Sequence, residues 1–395
     1  MTISMQPGKI VFYPQEGYAE QQRLWQGCPT VLCTRGGRVF VGWYTGGTRE
    51  PSLKNYNLLV KSDDEGMTWS SPLVLVQSVE HKNILAIDIQ LWLDPSGRMW
   101  LFWTQRLPQY PQSQHEHLEL WAIVCPEPDA EVLQWEAPQF IAHGFLRCQP
   151  TALSHNRWII CAYDWTSNNY NYTETCDGGK SYLRKNGGEK YPCMFDETML
   201  LVQKDHSLNM LARNGSGRIV ASKSTDNGIS WSKAKQTNII SPDSRFFISR
   251  LRSGRILLIR NLHSTQRVAM TASLSEDDGK SWPWNLTLDP RNTSYPDAAE
   301  TESGTIYAVH DCGRQSDKEI LISKFTEEDI LAEKICSSHS YLARLISKAP
   351  SEPMVPEDLK QHQAKEDQRL FDEMEKRLCS PFRHQTTPDM ILLPE

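Results

Sequence analysis

The chain is written in short apolar, β-rich runs, each preceded by a polar turn. One such combination occurs six times: GGRVFVGW from Gly36, SGRMWLFW from Ser96, HNRWIICAY from His155, DHSLNMLAR from Asp205, SGRILLIR from Ser253 and SGTIYAVH from Ser303. Turn residues placed between β-branched and aromatic runs are the mark of hairpins. The copies recur at a period of roughly fifty residues, room for several short strands each, and no helical periodicity runs through them. That combination predicts an all-β fold, a six-bladed β-propeller with one copy per blade.

A second pattern overlies the first. SDDEGMTWS at Ser62–Ser70, STDNGISWS at Ser224–Ser232 and SEDDGKSWP at Ser275–Pro283 share S-x-D-x-G-x-[ST]-W, the Asp box. Its residues suit a tight turn: the Asp side chain caps it, the Gly takes a conformation closed to other residues, and the Trp packs beneath. Asp64, Asp226 and Asp277 are therefore read as hairpin staples, not catalysts. Two segments break the rhythm. Asp164–Pro192 sets Tyr170, Tyr172, Tyr182 and Tyr191 in a polar background, which predicts a long loop, either a plain surface insertion or an aromatic lid. After Ile346 a Pro-rich stretch, SKAPSEPMVPEDL, leads to a predicted helix with Leu359, Leu370, Phe371, Met374 and Leu378 on roughly one face. The expected division is a propeller over 1–346 and a linker plus helix over 347–395, the helix packing on the propeller or on a second copy of the chain.

Composition narrows the class. The hydrophobic content of 39% and charged content of 23% suit a large globular core, and the net charge of −6 leaves no electrostatic footprint for nucleic acid. No apolar run approaches membrane-spanning length. The N-terminal MTISMQPGKIVFYPQEG has no continuous apolar stretch of the secretory kind, which favours a cytoplasmic reading. Ten cysteines form no CxxC pair. Cys33 and Cys161 sit in apolar runs, so free core thiols are expected rather than a metal site.

A propeller brings the inner strands of its blades to one axis, so polar residues far apart in sequence meet at one mouth. Four such residues stand out: Glu197 and Arg213 on neighbouring strands, Arg267 in STQRVAMTASLSEDDG, and Tyr295 in NTSYPDAAE. Taken singly, Glu197 and Arg213 also fit an ordinary cross-strand ion pair, and Tyr295 a strand-end aromatic.

Together with the Asp boxes, the order of these four resembles the sialidase superfamily of BNR-repeat, six-bladed propeller glycosidases, over roughly residues 20–330. The resemblance implies an exo-acting glycoside hydrolase that releases a terminal acidic sugar, sialic acid or a related 2-keto acid sugar, without metal or organic cofactor. A carboxylate on the anomeric carbon repels an anionic nucleophile, and sialidases use a tyrosine there. Tyr295 then stands as nucleophile and Glu197 as its base, with Arg213 and Arg267 as the planar clamp on the substrate carboxylate. The family's first arginine, in an Arg-Ile-Pro motif, is missing: the matching stretch is Gly27-Cys28-Pro29-Thr30. Arg49, Arg245 and Arg314 are the candidates to replace it. For the proton donor, Glu50 is the first choice and Asp88 the second, with Asp297 a lesser one on the assumption that its strand is regular. A uronate-directed lyase and a non-catalytic carbohydrate-binding propeller are the alternative readings.

Overall fold

Each of the six recurring turns links the first strand of a four-stranded unit to its second. The computed structural model describes residues 6–350 and 357–379, apart from 16, 83, 107–117, 166 and 194. The first unit runs Gln26–Cys33, Val39–Thr45, Tyr56–Ser62 and Val74–Gln77, with Lys9–Phe12 paired outside the last strand. The second is Leu85–Leu93, Met99–Arg106, Leu118–Cys125 and Gln139–His143. Thr198–Val202, Leu208–Ala212, Arg218–Ser224 and Lys235–Ile240 form another antiparallel meander of the same kind. The final sheet has seven strands because Trp284–Glu300 serves twice. Its first half, to Asn292, closes one meander on Val268–Ser275, and its second half, from Thr293, opens the next on Ile306–Cys312.

Gln26–Cys33 lies against Leu85–Leu93 and against Trp284–Glu300, and Thr198–Val202 lies against Phe247–Arg250, an all-β, propeller-like arrangement. Aromatic side chains fill the space between sheets. Trp158 of the third sheet packs edge-on against Trp92 and Trp100 of the second, with ring centroids 4.9 and 5.6 Å away. Such edge-to-face pairs stabilise by about 0.5–1.5 kcal/mol beyond the area they bury.

The reading of Asp164–Pro192 as a long loop is corrected. This segment forms the outer half of the third sheet, as Asn169–Thr175 and Leu183–Glu189. In NYNY the tyrosines alternate with asparagines, a strand period, and Tyr170 and Tyr172 are fully buried in the core. Thr175–Tyr182 between the two strands is a fourth copy of the hairpin turn, with Thr in place of Ser and Tyr in place of Trp. In all four, the Asp takes the backbone N–H and the hydroxyl of the residue four positions on: Thr68 to Asp64, Ser181 to Asp177, Ser230 to Asp226 and Ser281 to Asp277. These bonds hold the carboxyls of Asp64, Asp226 and Asp277 down at about 2. They are spoken for by the turn and lie outside the site described below.

Glu357–Cys379 forms the C-terminal helix. Leu359, Leu370, Phe371, Met374 and Leu378, the predicted apolar face, lie outside the described side chains. The buried helix positions that are described are Gln363 and Asp367.

Candidate active site

Three opening strands carry the same irregularity at the same height. Register jumps by one residue between Gly27 and Thr30, between Ile87 and Gln90, and between Ser294 and Asp297. The residue inside each bulge has a positive φ: Cys28 at 60°, Asp88 at 60° and Tyr295 at 52°. Left-handed backbone at non-glycine residues costs of order 1–3 kcal/mol each and concentrates at functional sites. A bulge also re-aims a side chain that a regular strand would send elsewhere.

Tyr295 is 7% exposed and its phenol donates a 2.8 Å hydrogen bond to Glu197 Oε1. Arg213 Nη1 bridges the pair, 2.9 Å from Glu197 Oε2 and 3.3 Å from the phenol oxygen, while its Nε reaches Asp243 Oδ1 at 2.6 Å. Glu197 and Arg213 are brought face to face because they flank the antiparallel pair Thr198–Val202 and Leu208–Ala212, and the Arg213 N–H donates to the Glu197 carbonyl at 3.0 Å. Burial works to raise the Glu197 carboxyl, but the Arg213 and Arg147 guanidiniums outweigh it and hold the group down at about 2. Burial, with the Glu197 charge beside it, pushes the Tyr295 phenol up to about 12. The pair is thus a neutral phenol hydrogen-bonded to a carboxylate.

Guanidiniums surround the ring. Those of Arg314, Arg147 and Arg267 lie 4.2, 4.9 and 5.8 Å from the Tyr295 centroid. Arg147 pairs with both Asp88 and Glu50, the latter at 3.1 Å. Arg314 reaches the other Glu50 oxygen at 3.3 Å and is steadied by Asp311 at 3.0 Å and by Ser294 Oγ at 3.1 Å. Desolvation drives the Asp88 carboxyl up to about 7 against the pull of Arg147, helped by the nearby charges of Glu50 and Glu197. Its Oδ1 meets Arg147 as an ion pair without an aligned hydrogen bond. Arg267 differs from the rest: its described hydrogen bonds go to the Asp243 backbone carbonyl, at 2.9 and 3.2 Å, with no carboxylate among them. Burial lowers its pKa, and Arg213 and Arg314 add to that. Among the described residues no carboxylate forms an ion pair with it.

The missing arginine at position 27 has a spatial counterpart. A Cβ built on Gly27 would stand 2.6 Å from Arg314 Cδ and 3.2 Å from Asp311 Oδ2. Arg314 therefore fills the room that a side chain at 27 would need. The other two candidates are placed elsewhere. Arg49 bonds Gln368 on the C-terminal helix. Arg245, with Thr30, Gln90 and Asp297, forms a buried polar plug beneath the site: Asp297 accepts from Thr30 Oγ1 at 2.6 Å, Gln90 Nε2 at 2.9 Å and Arg245 Nη2 at 3.1 Å. The regular strand assumed for Asp297 is what fails, because the bulge at Tyr295 turns it away from the Tyr295 side.

Arg147 and Cys28 escaped the sequence reading, though a signal for both was present. Cys28, Asp88, Arg147, Glu197, Arg245 and Tyr295 each stand eight positions before a repeat start, at Gly36, Ser96, His155, Asp205, Ser253 and Ser303. The same place in every repeat faces the same axis, and five of these six residues meet at the site. A cavity of about 510 Å³ opens at the far end of these strands, near Lys204, His206 and Arg250, and among the described residues no carboxylate lines it. Glu197, Glu50 and Asp88 are instead at the Tyr295 end.

Residues 195–308 match the BNR repeat-like domain family. A search by sequence among characterised proteins finds no match. Among solved structures the chain is similar to the NanB sialidase of Streptococcus pneumoniae, at 14% identity over 88% of this chain and 71% of that one, with a TM-score of 0.62. It is similar also to the intramolecular trans-sialidase of Ruminococcus gnavus, at 14% identity over 88% and 98%, TM-score 0.62. An α-L-arabinofuranosidase of Fusarium graminearum shares 13% identity over 82% and 99%, TM-score 0.55. The chain is thus similar to the BNR repeat-like family over residues 195–308 and shares its fold with a sialidase, a trans-sialidase and an arabinofuranosidase.

Proposed function

We propose that the chain is a six-bladed β-propeller over about residues 1–346, extended by a linker and helix over 347–395, and that it acts as an exo-glycoside hydrolase releasing a terminal acidic sugar. The observation that carries this is the Tyr295 phenol, 2.8 Å from a buried carboxylate and ringed by guanidiniums. Arg267, Arg213 and Arg314 together form an anion seat over that phenol. A substrate carboxylate docked there brings its anomeric carbon to Tyr295, and in drawing on Arg213 it loosens that cation's hold on Glu197. Glu197 then takes the phenol proton as the phenol oxygen bonds to the anomeric carbon, and the glycosidic bond breaks with its electron pair going to the leaving oxygen. A carboxylic acid supplies that oxygen's proton. Glu50 takes this role because, of the two carboxyls on Arg147, it is the one open to solvent, with 27% of its side chain exposed against 4% for Asp88. Water, deprotonated by the Glu50 carboxylate, then bonds to the anomeric carbon as the bond to Tyr295 breaks, its electron pair returning to the phenol oxygen, which takes its proton back from Glu197.

Hydrolysis of a panel of terminal acidic-sugar glycosides, sialosides included, tests the reading. Release of one sugar supports it. A product absorbing in the ultraviolet instead supports β-elimination from a uronate, a chemistry that the guanidiniums around Tyr295 also favour by stabilising a phenolate base. Glycan binding without any product supports a binding propeller.

Two further results are expected. Gly27→Ala pushes Arg314 off its seat and raises KM by about tenfold or more, the scale of one charge-assisted hydrogen bond, with a smaller change in kcat. Steady-state kinetics at saturating and limiting substrate separate the two. The second concerns pH. Asp88 titrates near 7 when folded against an ordinary 3.8, so between those values the folded chain holds a proton that the unfolded chain has lost. Stability contributed by Asp88 is therefore present below about pH 4 and falls as pH rises to about 7. Asp88→Asn flattens that slope in urea titrations run across the window, and an unchanged slope would show that Asp88 is not the group responsible.

A further inference from the structure

The segment that carries Glu50 is held from a place remote in sequence. Gly46–Asn55 links Val39–Thr45 to Tyr56–Ser62 at the Tyr295 end of the first sheet. Part of its shape is its own. A Cβ on Gly46 would lie 2.5 Å from the Lys54 carbonyl, and one on Gly47 would collide with Ser52 Oγ, so both positions need the close approach that glycine permits. Asn55 ties the two sides, accepting from the Gly47 N–H at 2.5 Å and donating to the Arg49 carbonyl at 2.9 Å.

The other part of the support comes from the C-terminal helix. Asp367 Oδ2 accepts from the Thr48 N–H at 3.0 Å and from Thr48 Oγ1 at 2.6 Å, and Ser52 donates to the same carboxyl. Thr48 and Ser52 stand two residues before and two after Glu50. Asp367 is 2% exposed, and no cation is among its described hydrogen-bond partners, which are neutral donors. Gln368, beside it on the helix, accepts from Arg49. A buried carboxylate spent on a loop's own amide and hydroxyls fixes that loop in one arrangement, since removing it leaves buried donors without acceptors.

We infer that Asp367, reaching across from the helix Glu357–Cys379, is a positioning residue that holds the Glu50 loop in register with Tyr295. The assignment of Glu50 as proton donor rests on the glycosidase reading above; the anchoring of the loop does not. Misplacing a catalytic group by about 1 Å costs on the order of 10²-fold, so a proton donor needs such support. Proton donation matters for leaving groups that are poor on their own and hardly at all for activated ones.

Two measurements on the full chain test this. In the first, hydrogen exchange is followed by mass spectrometry in the wild type and in Asp367→Ala and Asp367→Asn. The expected result is at least tenfold faster exchange across Gly46–Asn55 in Asp367→Ala, with the Tyr295 strand unchanged. Equal rates overturn the inference, and they do so whether or not the chain hydrolyses anything. The second compares an acidic-sugar glycoside bearing a nitrophenol leaving group with one bearing an ordinary sugar. Asp367→Ala is expected to lose about ten- to a hundredfold in kcat/KM on the ordinary sugar and little on the nitrophenol, the same pattern as Glu50→Gln. Equal losses on both substrates, or none, contradict the positioning role. Fast exchange with no hydrolysis by the wild type keeps the anchor and removes the glycosidase reading.

Discussion

Tyr295→Phe is expected to lower kcat/KM on the cleaved acidic-sugar glycoside by at least roughly 10²-fold, the scale of losing a key catalytic group. The ring that packs under Arg314 and Arg147 survives this change, and only the oxygen that bonds Glu197 is removed. Folding should therefore be little affected, so the loss belongs to chemistry. Binding should survive as well: the guanidiniums of Arg213, Arg267 and Arg314 remain, and KM moves far less than kcat. Single-turnover kinetics on the variant check this directly. A variant retaining wild-type kcat would place the nucleophile elsewhere and leave Tyr295 as packing.

Arg213→Met carries the largest expected cost in stability, about 3–5 kcal/mol, the range for removing one partner of a buried ion pair. Its side chain and that of Glu197 are 5% and 7% exposed, and the two are 2.9 Å apart. Without the guanidinium, Glu197 is a buried charge facing a phenol, and the force that held its carboxyl down at about 2 is largely gone. The double variant Arg213→Met, Glu197→Gln should recover a substantial part of the loss, because the stranded charge is removed with its partner. Urea denaturation of the wild type, the single variant and the double variant reads this out. A loss below about 1 kcal/mol in the single variant would mean the pair behaves as an exposed one.

Much of this arrangement was legible in the chain because turn chemistry is local. Six turn-and-run copies mark the same link between first and second strands, and the sixteen-residue step from Glu197 to Arg213 follows from two short strands and one tight turn. What escaped depends on single residues acting in three dimensions. A bulge inserts one residue into a strand and leaves no compositional trace, so Asp297 was expected beside Tyr295 and is instead bound beneath it with Thr30, Gln90 and Arg245. The strand Asn169–Thr175 hid its alternation because tyrosine reads as loop-like among asparagines, although Tyr170 and Tyr172 are core. The occupation of Gly27's space by Arg314 joins residues far apart along the chain and is visible only once the sheets are assembled. Arg147 was within reach of the sequence, through its place eight residues before a repeat start.

The central claim is that the Tyr295 oxygen forms a bond to the sugar. Incubation with an activated acidic-sugar glycoside, fluorinated to slow release of the sugar, should accumulate the covalent form. Tryptic digestion then isolates Asn292–Arg314, which contains Tyr295 and Tyr307. The expected result is a mass increase of one sugar on this peptide, placed on Tyr295 by fragmentation and absent from Tyr295→Phe. Sugar release with no adduct here, or an adduct on Glu197 or Glu50, would contradict the account.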